Sequence, residues 1–160
     1  MPIYLFTYHA YGTWMPDRPE GYVRRGHGIL PRDDEMGRRY RQAALEAEVA
    51  FDERVQLLII DETRTACEKQ GYTCRYVATE TTHAHVLALW TTGREWDRVR
   101  GGLRSSITRR LNRELGRRTW LVEKGSGRGV RDDAHLAHLV ETYLPSHGGW
   151  KWCPEKGTFR

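Results

Sequence analysis

At 160 residues, 39% hydrophobic and 29% charged, the chain is long enough to bury a core without disulfide or metal staples and too apolar to be disordered. No stretch reaches the apolar length of a bilayer span, and Met1-Pro2-Ile3-Tyr4-Leu5 lacks a signal-peptide pattern, so no membrane partner is expected. The net charge of +5 is carried almost wholly by arginine, whose planar fork matches phosphate oxygens; the odd set Cys67, Cys74 and Cys153 reads as reduced thiols of a cytoplasmic protein.

Ile3 to Tyr11, aromatic and β-branched, reads as a first strand. Gly12 to Asp34 carries glycines, three prolines and four arginines and reads as one long loop, of a length that is usually functional or mobile. A helix is expected within Met36 to Ala50. Asp52 can cap a firmer one over Glu53 to Gln70, with Val55, Leu58, Ile59, Glu62 and Ala66 along one side, and Gly71 stops it. Tyr72 to Thr81 and His83 to Trp90 read as neighbouring strands joined by a tight turn. A third helix is expected over Glu95 to Leu115, then a short strand, then a fourth helix opened by Asp132 or Asp133 and running to about Leu144. No repeat or linker divides residues 1–160. The order is an α+β plan, an antiparallel sheet with helices packed on one face.

The run Thr82-His83-Ala84-His85-Val86-Leu87-Ala88-Leu89-Trp90 carries the most chemistry. On a strand, side chains alternate, so His83 and His85 point the same way and form half of a metal site. Such pairs also arise as ordinary hydrogen-bonded surface histidines, and the pair alone does not decide between the two. In the third helix, Trp96, Val99, Leu103, Ile107, Leu111 and Leu115 form a buried stripe. Arg98, Ser105, Arg109 and Arg113 fall opposite it, with Asn112 at the edge; that face suits a sugar–phosphate backbone or is simply solvated. In the fourth helix Leu136, Leu139, Val140 and Leu144 face the core and Tyr143 lies at the edge of that stripe. His147 follows four residues later, on the same side of a helix, although Pro145 breaks or kinks the turn between them.

His83-Ala84-His85 resembles the histidine–hydrophobe–histidine motif of the HUH endonucleases, and Tyr143 on a C-terminal helix resembles the single catalytic tyrosine of their insertion-sequence transposases. The likeness is greatest to the REP-associated tyrosine transposases. Tyr8-His9-Ala10-Tyr11-Gly12-Thr13-Trp14-Met15-Pro16-Asp17, Lys124-Gly125-Ser126-Gly127-Arg128 and Val140-Glu141-Thr142-Tyr143 add to it, so the resemblance runs through nearly the whole chain. The departures are Pro145 in the last turn, a histidine at 147 where that family usually has an amide, and Thr81-Thr82 where an asparagine often precedes the pair.

The resemblance implies a ferredoxin-like sheet of the HUH endonuclease type and a metal-dependent transposase that cuts and rejoins single-stranded DNA beside hairpins. Tyr143 would attack the scissile phosphate and keep a 5′-phosphotyrosine, while His83, His85 and His147 hold a divalent cation, Mg²⁺ or Mn²⁺ rather than Zn²⁺. The implied partners are single-stranded DNA or a DNA hairpin, bound by a monomer or homodimer associated with the nucleoid. Tyr8, Tyr11 and Trp14 are candidates to stack on unpaired bases, or else pack the sheet; Arg18, Arg24 and Arg25 are candidates for phosphates. Trp150 and Trp152 are undecided between such a role and the core. Two other functions remain open: a small zinc-dependent hydrolase, and a domesticated DNA-binding protein without strand transfer.

Overall fold

The computed structural model describes residues 1–13, 21–24, 26–44 and 46–160. In chain order the elements are β1 (Ile3–His9), β2 (Tyr22–Arg24), β3 (Gly28–Leu30), α1 (Asp34–Ala43), α2 (Glu53–Gln70), β4 (Thr73–Thr79), β5 (His83–Leu89), α3 (Trp96–Leu115), β6 (Ser126–Gly129) and α4 (Asp133–His138). The chain winds on from α4 through a π turn, Leu139–Tyr143, and a 3₁₀ turn, Leu144–Ser146, and ends in β7 (Lys151–Cys153) and β8 (Gly157–Phe159). Six strands form one sheet in the order β6-β1-β5-β4-β7-β8, with every neighbouring pair antiparallel. The first four, with α2 and α3 as crossovers, are the expected ferredoxin-like core; β7 and β8 extend it beyond β4.

Ala84 to Ala88 of β5 are buried in succession, so the strand is covered on both faces. On one side Phe6, Tyr8, Val86 and Trp90 pack with Val55, Ile59, Val99, Leu103 and Ile107 of α2 and α3. On the other, Leu5, Tyr76, Ala78 and Leu87 pack with Leu139, Leu144 and Cys153. The long helices therefore share one face, as expected, while the C-terminal helical segment lies across the sheet from them. A bulge between Cys74 and Tyr76 resets the alternation along β4.

Local chemistry sets the ends. Asp52 accepts a hydrogen bond from Val55 N and starts α2, and Gly71, with φ 75° in the left-handed region, stops it. Asp132 opens α4 by accepting from His135 N, 2.7 Å. The helix expected within Met36 to Ala50 instead starts under an Asp33 cap and ends at Ala43. Buried Val49 and Phe51 pull the following chain into extended pairing, Val49 N to Tyr11 O (2.8 Å) and Phe51 N to Thr81 O (2.7 Å). The stretch expected to be wholly loop contains the β2–β3 hairpin. The fourth helix is not regular to Leu144. Pro145 lacks an N–H and its ring crowds the carbonyl four residues back, and the chain widens to a π turn whose Leu144 N reaches Leu139 O.

Candidate active site

Alternation along β5 puts His83, His85 and Leu87 on the face that the C-terminal segment covers, and Ala84, Val86 and Ala88 on the face of α2 and α3. Antiparallel register sets Thr7 opposite His85 and His9 opposite His83. Thr7 Oγ1 lies 2.8 Å from His85 Nδ1, and Thr82 Oγ1 lies 2.9 Å from His83 Nδ1. Those hydrogen bonds engage the δ nitrogens and orient both rings, with Nε2 of His85 turned toward Tyr143.

His147 follows the 3₁₀ turn. Its Nδ1 is 3.0 Å from the carbonyl oxygen of Tyr143 and 3.2 Å from that of Leu144. Carbonyls only accept, so Nδ1 carries the hydrogen and Nε2 carries the lone pair. The ligating atoms of His83, His85 and His147 all lie within 4.8 Å of one another, a spread that one ion can gather with small ring movements. The three imidazoles are chemically and spatially fit to hold a metal. His85 is 4% exposed, and burial, aided by the charges of His83, His147 and His9, pushes its pKa down to about 3. It is therefore neutral at physiological pH, the form that binds metals.

Tyr143 stands beside this cluster, its hydroxyl 3.2 Å from His85 Nε2 and its ring centroid 5.0 Å from that of His147. At 37% exposed it is anchored yet open to a substrate from solvent. Pro145 does not separate Tyr143 from His147, because the broken turn folds the imidazole back beneath the tyrosine's own carbonyl. The arrangement sets a partly exposed phenol beside three imidazoles that could hold a cation.

The other sequence candidates lie elsewhere. Arg98, Ser105, Arg109 and Arg113 are all exposed on α3, across the sheet from the histidines. Arg109, Arg113 and Ser105 border a groove of about 470 Å³ between α2 and α3. Arg110 in that groove is neutralised by Asp61 and Glu62, at 3.1 and 3.4 Å. A Cβ at Gly102 would meet only the movable end of the Gln70 side chain, Oε1 at 2.9 Å, and a Cβ at Gly101 would meet nothing, so nothing in the structure explains either glycine. Asn112 turns inward and accepts from Trp120 Nε1 and Arg118 N.

Tyr8 does not stack on bases. It is 2% exposed, its hydroxyl donates to Arg100 O at 2.9 Å, and burial raises its pKa; hydrophobic packing under α3 claims the ring. Tyr11 is half-buried and borders an open groove of about 770 Å³ with Tyr40, Leu121 and Val122. Trp14, Arg18 and Arg25, and the side chain of Arg24, lie outside the described residues. Trp150 bonds Glu53 through its indole N–H, and Arg64 covers the ring of Trp152, so both tryptophans pack the molecule.

Thr7, His9, Glu80 and Lys151 also surround the site, and sequence reasoning misses them. Thr7-x-His9 has the same two-residue period as the histidine pair opposite it, a signal that could find it. Glu80 and Lys151 carry no local signature. Among the described residues no helix is long and apolar enough to cross a membrane.

No protein-family model matches the sequence, and no curated protein does. Two solved structures share its architecture. A REP-associated tyrosine transposase bound to a REP hairpin aligns at TM-score 0.50 and 9% identity, over 89% of this chain and 64% of that one. A protein of Deinococcus radiodurans R1 assigned as a transposase aligns at TM-score 0.53 and 10% identity, over 91% of this chain and 90% of that one. This chain spans less than two thirds of the hairpin-bound transposase. With its β6-β1-β5-β4 core and its C-terminal segment crossing the far face of the sheet, the chain has the fold of these transposases.

Proposed function

We propose that the protein is a DNA strand transferase that cuts and rejoins single-stranded DNA beside a hairpin through Tyr143. One observation carries the reading: on a fold shared with a hairpin-bound tyrosine transposase, the Tyr143 hydroxyl lies 3.2 Å from a histidine of a three-imidazole cluster.

In the step proposed, the Tyr143 oxygen bonds to phosphorus as the bond from phosphorus to the 3′ oxygen breaks. The phenol loses its proton and the departing oxygen takes one up, leaving a 3′-hydroxyl and a 5′-phosphotyrosine. Attack by another strand's 3′-hydroxyl reverses the step and frees the tyrosine, with no nucleotide cofactor. A free phenol has a pKa of about 10, so the reaction gains from a neighbour that favours the phenolate.

His83, His85 and His147 would hold a divalent cation, which when bound neutralises charge on the phosphate. Three nitrogen donors suit Mn²⁺ better than the oxygen-seeking Mg²⁺. The exposed Arg98, Arg109 and Arg113 suit the phosphates of the hairpin stem, with Ser105 as a further donor. Their place across the sheet from Tyr143 requires the DNA to pass a sheet edge to reach both. Both Tyr143 and the histidines belong to one chain, so a monomer suffices for the chemistry. Three imidazoles are also a zinc donor set, which supports a zinc-dependent hydrolase as the second reading.

The test is incubation with a 3′-end-labelled hairpin carrying a single-stranded extension, with Mn²⁺ or with EDTA. Label retained on the denatured protein only with Mn²⁺ supports the reading. Cut DNA with no retained label turns it into hydrolysis by water, and binding without cutting into a DNA-binding role.

A further inference from the structure

The third imidazole is mounted on a short irregular segment, residues 147–150, that is hydrogen-bonded to the end of β4 and to Gln56 of α2. Gly149 N donates to Thr79 O at 3.0 Å, and Trp150 N donates to Gln56 Oε1 at 2.9 Å. Thr79 returns two bonds to Trp150 O, from its N–H (3.0 Å) and its hydroxyl (2.7 Å). A Cβ on Gly149 would lie 2.1 Å from Thr79 O, so only glycine lets the segment come this close.

Two charged side chains then fix His147 within it. Lys151, 6% exposed, donates from Nζ to His147 O (2.7 Å) and to Gly149 O (3.0 Å). It belongs to the same cross-sheet row as His85, because Ala78 pairs with both. Glu80 joins the two ligand-bearing segments directly. Its N–H donates to His83 O at 2.8 Å, and its carboxylate accepts from Gly148 N. A buried ammonium is costly and persists where its hydrogen bonds are needed. A surface loop with no task would not require one.

We propose that Lys151 and Glu80 are positioning residues that set His147 against His83 and His85, so that the three imidazoles converge on one cation. The inference rests on the metal-binding part of the proposed function. Neither residue is itself a ligand: Lys151 acts on the carbonyl of His147, and the Glu80 carboxylate acts on the N–H of Gly148 next to it.

The probe is Co²⁺, whose visible spectrum reports ligand number and geometry, titrated into the full chain. Lys151→Met keeps the aliphatic stem and removes the cation from the two carbonyls. It should weaken Co²⁺ binding about ten- to a hundredfold, as loss of a group that orients a ligand does, and change the spectrum as one imidazole gives way to water. A folded Lys151→Met with wild-type affinity and spectrum overturns the proposal, as does weaker binding with an unchanged spectrum. If Lys151→Met does not fold, Glu80→Ala is judged by the same results, since exposed Gly148 N can turn to water. Failure of the underlying reading looks different: the wild type itself binds no Co²⁺, or His83→Ala binds it as tightly as the wild type, and the proposal falls with it.

Discussion

His85 should make the metal-free protein sensitive to mild acid. Its imidazole is buried among His83, His147 and His9 and accepts a proton only near pH 3, whereas in the unfolded chain it does so near 6.5. Below pH 6.5 the unfolded state therefore binds more protons, and stability present above that pH is lost as pH falls toward 3. At about 1.4 kcal/mol per unit, the whole interval is worth about 5 kcal/mol, and the part between pH 7.5 and 5 about 2 kcal/mol. For a chain of this length that lowers Tm by about 4–8 °C. The perturbation is His85→Asn, which keeps a polar group near Thr7 and cannot titrate. Urea unfolding followed by tryptophan fluorescence in EDTA at pH 7.5, 6 and 5 should show the wild type losing about 2 kcal/mol more than the variant. Holding the pH at 5 or above keeps most carboxylates out of the comparison. Equal losses in the two proteins would refute the buried neutral imidazole.

Three further outcomes are expected. His83→Ala or His85→Ala should abolish Mn²⁺-dependent cleavage while leaving hairpin affinity, measured by gel shift, nearly unchanged; full cleavage by the double variant would contradict the cation site. Removing the charges of Arg98, Arg109 and Arg113 should flatten the salt dependence of DNA binding by about one unit of slope for each phosphate no longer neutralised, and an unchanged slope would mean the face is only solvated. Leu103→Ala should cost about 2–5 kcal/mol in urea unfolding without altering metal affinity, because Leu103 is fully buried beneath the face of the sheet opposite the site.

How far the sequence speaks follows the reach of each signal. His83 and His85 are read from a two-residue period, a local property of a strand. Asp52 and Gly71 bound α2 through interactions within one turn. Tyr143 and His147 are legible as residue types at helical spacing, but not the way they meet. Pro145 announces a broken turn without saying whether the chain tightens or widens, and here it does both in succession. Tyr8 shows the opposite limit, since an aromatic ring at a strand end looks the same whether it faces bases or the underside of a helix. The β7–β8 hairpin has three residues per strand, too few for a periodic pattern, and it brings Lys151 beside the site. Glu80 and Lys151 act through hydrogen bonds to residues 68 and 4 positions away in the chain, and no local rule marks a lysine as buried.

The most direct test of the central claim is Tyr143→Phe, which keeps the ring, the packing and nearly all the volume and removes one oxygen. The variant should fold, bind Co²⁺ and bind the hairpin like the wild type, yet form no covalent protein–DNA adduct and cut no strand. Cleavage near the wild-type rate by Tyr143→Phe would contradict the account and make water, held at the three histidines, the nucleophile.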